Sequence, residues 1–432
     1  MALPNMQKIL RRATRFIAAY EKVLLAILAI VILISGGFWY RQFAGRDGDS
    51  PTVGGTYVEG VVADKKEMSQ ITTRLTKAGL LSFSETGVLQ GQLAETWSAN
   101  TDETQFRFTL SPTTDRAEVA AILQSRDDVV GTIDVKTDLD RDVVVTLPEP
   151  NPSFPLLMTR PLFDYGPFKL SQSNDQTTVF TRNTRRGAVA AYLNKIVIHS
   201  YATDSDLQKA LSSDRIDGAI SSTDPHLKNW QSYQISLSRY YAVLFNTNKS
   251  PFRDAGLRQS LTAGTPAAAT PFTLIAADQE PYKTLATDLA AKWKEQGAKV
   301  ELSLRPLSEV TNNIGPARNF QALLVGIDYG LELDPYYLWH SSQVRATGNN
   351  VTGINNVTID SLVEKTRANL DPAARQRLLE ELHTTLTSQG VMMVVKEQNL
   401  TYYLSDKIRF IPPSLPSSEA DRFLSSALWS VK

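Results

Sequence analysis

The chain has 432 residues, with 45 Lys plus Arg balanced against 45 Asp plus Glu, four His and no Cys. Without Cys there are no disulfides and no thiolate nucleophile, and four His leave little material for a transition-metal site. The first 22 residues take five of the basic side chains and one of the acidic ones, leaving 40 and 44 beyond them, so the remainder is slightly acidic and has no basic run to contact nucleic acid.

In chain order the first feature is Val23 to Tyr40 (VLLAILAIVILISGGFWY), which carries no charge. Eighteen residues of helix span about 27 Å, close to a hydrocarbon core of roughly 30 Å. Lys8, Arg11, Arg12, Arg15 and Lys22 precede it against the single acid Glu21. That bias keeps residues 1–22 in the cytoplasm and puts Trp39 and Tyr40 at the outer interface. The segment reads as an uncleaved single-pass anchor. A cleavable signal peptide, the alternative, has a shorter apolar core and an Ala-x-Ala site, which is absent here. Residues 41–55, rich in Gly, Asp and Ser, form a flexible tether. The rest of the chain then works outside the membrane, in an extracellular or periplasmic space.

The folded part opens at Tyr57 within the β-branched run TYVEGVVA. Met68 to Leu81 has apolar residues at helical spacing. Gln105 to Leu110 alternates Phe106, Phe108 and Leu110 as a half-buried strand does, and Gly131 to Leu147 reads as a hairpin turning at Asp138-Leu139-Asp140. Further strands are expected at Thr177 to Arg182, Leu193 to Tyr201 and Ile216 to Ser221, with a short helix from Asp204 between the last two. Beyond the Ala-rich Thr262 to Pro271, the strand PFTLIAA, a helix with Leu285, Leu289 and Trp293 on one face, and the strand from Val300 to Leu304 make a β-α-β unit. Phe320 to Ile327 adds a buried strand. The last helix is the best punctuated, with Asp371 as cap, Pro372 in its first turn and Gly390 past its end. Val391 to Lys396 and Thr401 to Leu404 return as two strands.

Several stretches, in order, resemble the extracellular solute-binding proteins of the peptide/nickel family (family 5), the receptors of ABC importers. They are YVEGVVAD (Tyr57 to Asp64), GQLAETWSANTDETQFRFTL (Gly91 to Leu110), LPEPNPSFPLLMTRPL (Leu147 to Leu162), GPFKL (Gly166 to Leu170), LFNTNKSPFRDAGLRQSL (Leu244 to Leu261) and DPYYLWHSSQ (Asp334 to Gln343). The resemblance implies an α/β fold, a two-lobed periplasmic-binding-protein-like clamp of the class II type, here behind one transmembrane helix. The lobes would be residues 56–247 with 401–432, and residues 248–400, with the chain crossing between them near Asn246 to Pro251 and Gln398 to Tyr402. A permease and an ATPase subunit are the implied partners. No cofactor, no nucleic acid and no enzymatic activity are implied. The chain departs from the family in three places: SPTTDRAEVAAIL and TAGTPAAATP replace longer segments, and ADKKEMSQI replaces an Asn-Pro loop.

Peptide receptors of this family often hold the ligand's amino group with a second-lobe carboxylate, because a buried ammonium needs a paired charge. The strict position falls near Gly330 or Leu331, with Asp328 and Glu332 as substitutes one or two residues away. Glu332 is also an ordinary solvated loop carboxylate. Tyr336, Tyr337, Trp339 and His340 offer aromatic faces and hydrogen-bonding groups to a peptide. Tyr336 and Trp339 serve equally well as core packing. Glu59 and Asp64, within and after the first strand, complete the candidate set, and Glu59 reads alternatively as an edge-strand carboxylate.

Catalytic readings find no support in the residues. No Gly-x-Ser-x-Gly elbow and no phosphate loop occur. Glu380-x-x-His383 is half of a metal pattern without its partner, embedded in an amphipathic helix with Leu379, Leu382 and Leu386. The resulting expectation is a membrane-anchored receptor that captures peptides for an ABC importer. The alternative is a transport-inactive sensor or scaffold with a degenerate cleft.

Overall fold

A 16-residue strand, Trp230–Phe245 (β6), and a 14-residue strand, Met392–Ser405 (β10), pair antiparallel and organise everything around them. The computed structural model describes Pro51 and residues 53–432, apart from 63, 127–130, 132, 138–139, 266–269, 331–332 and 414–415. The Val23 to Tyr40 segment and residues 41–50 and 52 of the tether lie outside these residues. Among the described residues no helix is long and apolar enough to cross a membrane.

The remaining strands of the main sheet are Thr56–Val61 (β1), Phe168–Ser173 (β2), Thr177–Arg182 (β3), Lys195–Ser200 (β4), Gly218–Ile220 (β5), Phe272–Ala277 (β7), Val300–Arg305 (β8) and Ala322–Asp328 (β9). Their order is β8-β7-β9-β6-β10-β5-β1-β4-β3-β2. Trp230 to Ser236 pair with Ser405 to Asn399, and Tyr240 to Leu244 pair with Glu397 to Met392. Between Ser236 and Tyr240 the register shifts. On one side of that break β10 continues into β5 and β1; on the other β6 continues into β9 and β7.

Strand direction follows from these pairings. β5 is antiparallel to β10 and parallel to β1, while β9 is antiparallel to β6 and parallel to β7. The carboxyl ends of both parallel sets therefore point at the line where the two halves meet. Sequence patterning divides β10 into two strands because Glu397-Gln398-Asn399 is polar. Those residues keep the ladder, with Asn399 opposite Ser236 and Glu397 opposite Tyr240.

Each half buries its own apolar faces. In the first, Tyr57, Phe180, Ile196, Ile198, Tyr402 and Trp429 pack with Ile71 and Leu75 of the helix Lys65–Thr76 (α1). A separate four-stranded sheet, Ala94–Ala99, Gln105–Leu110, Asp142–Thr146 and Asp134–Lys136, packs Phe106 and Phe108 against Phe154. The second half has two cores: Tyr240, Leu323, Ile327 and Trp339 with the helix Pro372–Ser388, and Val243, Phe245 and Phe272 with Trp293. Asp371 caps that Pro372–Ser388 helix on the N–H groups of Ala373 and Ala374, and Gly390 beyond it has φ 64°. α1 starts three residues before the patterned stretch because Asp64 caps it, accepting from the Glu67 N–H at 2.8 Å.

A charged network fastens the C-terminus to the first strand. Arg422 Nε lies 2.6 Å from Glu59 Oε1, both side chains almost fully enclosed. Tyr402 Oη donates to Glu59 Oε2 at 2.7 Å, and Tyr57 donates to the same oxygen. Alongside, Arg74 Nε meets Asp421 Oδ1 at 2.6 Å, and the other oxygen of Asp421 accepts from the N–H groups of Ser417 and Ser418. Breaking a buried pair from one side strands a charge, typically at a cost of about 3–5 kcal/mol. Urea unfolding should therefore show Arg422→Met strongly destabilised, and Glu59→Leu with Arg422→Met together much less so. Equal losses from the single and double variants would contradict this pairing.

Glu67, 4.0 Å from Arg422 Nη1, is pushed up to about 7 by burial, with Arg422 opposing and Glu419, Asp64 and Glu59 reinforcing. A carboxyl raised by folding favours the folded state below its unfolded value and loses that contribution as pH rises through 7. The melting temperature of the parent, relative to Glu67→Gln, should thus fall between pH 5 and pH 8. A pH-independent difference would show that Glu67 is not desolvated.

Candidate functional site

In open α/β sheets, crevices beyond the carboxyl ends of parallel strands collect ligands. Here β9 ends at Asp328, where a cavity of about 400 Å³ lies between the two halves. Arg74 of α1 and Lys77 just past its end, together with Arg126, Arg160 and Ser417, line it from the first half, and Asp328 and Gly330 from the second. The lining is mostly charged and polar, suited to a small polar molecule.

Asp328 is held from three directions. Burial pushes its carboxyl up, while the Gly330 N–H at 2.8 Å, the Arg239 guanidinium and Arg160 favour the charged form. Arg239 Nε sits 3.2 Å from Asp328 Oδ2, and the two residues are register partners across β6 and β9.

The next residues, Tyr240 on β6 and Tyr329 just past the end of β9, are tied elsewhere. Tyr240 Oη and Tyr329 Oη reach His383 Nε2 at 2.9 and 3.3 Å, and Trp339 Nε1 donates to Tyr329 Oη at 2.7 Å. Burial lowers His383 to about 4, so the ring is neutral at neutral pH. Consecutive side chains on a strand point to opposite faces. Arg239 and Tyr240 consequently clamp Asp328 and Tyr329 from both sides, immediately beyond the register break of β6.

That second face opens on another cavity spanning both halves, of about 730 Å³, lined by Tyr240, His383, Glu397 and Asp371 on one side and Glu85 and Pro412 on the other. The Glu380-x-x-His383 motif lies along it, with His383 serving as a hydrogen-bonding partner for two tyrosines.

Of the residues singled out from sequence, Asp328 lines the 400 Å³ cavity. Glu332 lies outside the described residues. Glu59 has no exposed surface and is engaged by Arg422 and two tyrosines. Asp64 is the α1 cap. Trp339 is buried against Tyr329. Tyr336 stacks on His340 at 4.4 Å and beneath the Arg367 guanidinium at 4.2 Å. Tyr337, 47% exposed, accepts from Arg367 Nη2 at 3.1 Å, and His340 Nε2 meets Glu364 at 3.2 Å. This cluster surrounds the Arg367–Asp334 ion pair at 3.1 Å, and Ser153 Oγ of the first half reaches Asp334 at 3.5 Å. Two stretches behind the family resemblance, PNPSF and DPYYLWH, thus meet there. The basic wall of Arg74, Lys77, Arg126 and Arg160 escapes sequence reasoning. Its members lie up to 86 positions apart in ordinary amphipathic or loop segments, and no local pattern marks them.

Residues 120–270 match the family model described as Bacterial extracellular solute-binding proteins, family 5 Middle. No curated protein matches the sequence. Among solved structures, the ABC transporter substrate binding protein CtaP from Listeria monocytogenes is 15% identical, with a TM-score of 0.64 over 88% of this chain and 100% of that one. NikA from Brucella suis, in complex with Fe(III)-EDTA, is 15% identical, with a TM-score of 0.64 over 85% and 99%. The oligopeptide-binding protein AppA from Bacillus subtilis, in complex with a nonapeptide, is 13% identical, with a TM-score of 0.59 over 89% and 100%. The chain thus resembles the family 5 solute-binding proteins, and its fold is the two-lobed α/β architecture of periplasmic binding proteins.

Replacing His383 by Leu removes the common partner of two buried tyrosine hydroxyls, a loss of about 1–3 kcal/mol. His383→Gln, which keeps a polar partner, should recover part of it in urea unfolding. Because folding depresses this imidazole, the parent should also lose stability as pH falls from about 6.5 to about 4, whereas His383→Leu should lack that component. An unchanged acid limb in the variant would count against a neutral, buried ring.

Proposed function

We propose that this chain is the extracytoplasmic solute-binding component of an ABC importer, capturing peptides at the membrane surface. The observation that carries this reading is a charged cavity between two halves, at the carboxyl end of β9, the halves being joined by two strands whose ladder has a register break. A break in a shared ladder is a place where one half can rotate on the other, and closure around a ligand is how such clamps exclude water. The lobe limits suggested by the resemblance, 56–247 with 401–432 and 248–400, are refined on this view: β6 passes from one lobe to the other at Ser236–Tyr240. AppA from Bacillus subtilis holds a nonapeptide in a fold of this kind, which supports peptides as the ligand class.

In this reading Val23 to Tyr40 anchors the receptor, keeping it at high local concentration beside the permease and ATPase subunits that would take its cargo. Asp328 answers the ligand's ammonium group. The cluster of Tyr336, Tyr337 and His340 flanks the seam between lobes where Ser153 meets Asp334. No group in the site is asked to make or break a bond. The alternative, a transport-inactive sensor, draws on Arg239, which already partners Asp328.

Calorimetry of the full-length chain against mixed di- to octapeptides should give saturable binding, and small-angle scattering should report a smaller radius of gyration on saturation. Silence toward those peptides, nickel chelates and sugars alike would eliminate the transport receptor. Binding without compaction would favour the sensor.

A further inference from the structure

We infer that Arg239 sets how far the site distinguishes a free ligand amino group from a blocked one. As resident counter-ion of Asp328 it holds that preference down, so the cavity accepts both kinds of peptide. The inference rests on the reading of this cavity as the ligand site and adds a specificity-determining residue outside its lining.

Asp328 is already served on both of its oxygens. Oδ1 accepts from the Gly330 N–H at 2.8 Å, and Oδ2 lies 3.2 Å from Arg239 Nε. The sheet imposes this pairing, because Arg239 and Asp328 stand directly opposite each other on β6 and β9, where cross-strand Cβ atoms are about 5 Å apart. From there the register runs unbroken to Phe245 opposite Ala322, so acid and counter-ion belong to the same half and stay together however the halves are disposed. Tyr240, next on β6, is buried and bonded to His383, which holds the backbone beside Arg239 in place.

The other charges lining the cavity are answered within the fold too. Arg74 meets Asp421 at 2.6 Å and Lys77 meets Asp164 at 2.9 Å, while Arg126 and Arg160 have interactions of their own. A ligand ammonium entering beside Asp328 thus finds a carboxylate that is already compensated, with a like charge next to it. Selectivity is a difference between two affinities, and a built-in repulsion lowers one of them while sparing the other. Here the repulsion falls on an ammonium and spares an amide at the same place. Arg239 and Asp328 are 39% and 43% exposed, so their pair adds little to stability, and removing it alters ligand discrimination rather than folding.

The test is calorimetry on the full-length chain with mixed di- to octapeptides carrying either free or N-acetylated amino ends. The parent should bind both pools, with a free-to-acetylated affinity ratio below about tenfold. Arg239→Gln should raise that ratio at least about threefold, with the melting temperature nearly unchanged. Arg239→Lys, which keeps the charge, should stay near the parent ratio, and Arg239→Gln combined with Asp328→Asn should return to it or fall below. A parent ratio above about tenfold, a ratio that Arg239→Gln leaves alone or lowers, the same rise in Arg239→Lys, or a rise that persists without the Asp328 carboxylate would overturn the inference and leave peptide capture standing. Silence of parent and variants toward both pools would overturn peptide capture as well.

Discussion

One antiparallel ladder sets the geometry on which the rest of this molecule depends. β6 and β10 pair along nearly their whole lengths, yet each half of the structure hangs from a different one of them: β5 and β1 from β10, β9 and β7 from β6. Shared backbone hydrogen bonds hold the halves in relative placement along most of that ladder. At Ser236 to Tyr240 the register slips. The two parallel strand sets both aim their carboxyl ends at this interruption.

The chemistry of that region is governed by the alternation of side chains along a strand. Arg239 goes to one face and meets Asp328; Tyr240 goes to the other and meets His383 and Tyr329. Two neighbouring residues thereby face two different environments, an ion pair on one side and an aromatic, hydrogen-bonded cluster on the other. Elsewhere, charge serves the fold. Glu59 and Arg422 are costly to bury and are retained as a mutually neutralised, hydrogen-bonded set that fastens the last helical turns across the first strand.

Several elements are legible in local sequence pattern alone. The β-branched run at Tyr57, the alternation from Phe106 to Leu110, the β-α-β unit around Trp293 and the capped helix from Asp371 all lie where that pattern puts them. β6 escapes notice despite its length, because WQSYQISLSRYYAVLF mixes polar and aromatic residues that face different neighbours in each half. β10 reads as two strands for the same reason. Of the site, Asp328 stands out because the family resemblance implies a second-lobe acid in that loop. Glu59 differs in kind from its reading: a carboxylate in a strand looks like an edge residue until Arg422, 363 positions later, encloses it.

By itself, the sequence determined the fold class, the order of most elements, the apolar stretch ahead of the folded part and the absence of any thiol or phosphate-loop chemistry. These rest on composition, short-range periodicity and the family's motifs, which act within a few residues at a time. Tertiary structure alone decided where the shared ladder changes register, which acids are spent on the fold, and that Arg74, Lys77, Arg126 and Arg160 share one wall. Strand pairing joins residues more than a hundred positions apart, and electrostatic character belongs to the assembled surface, so neither has a local signature for a sequence to carry.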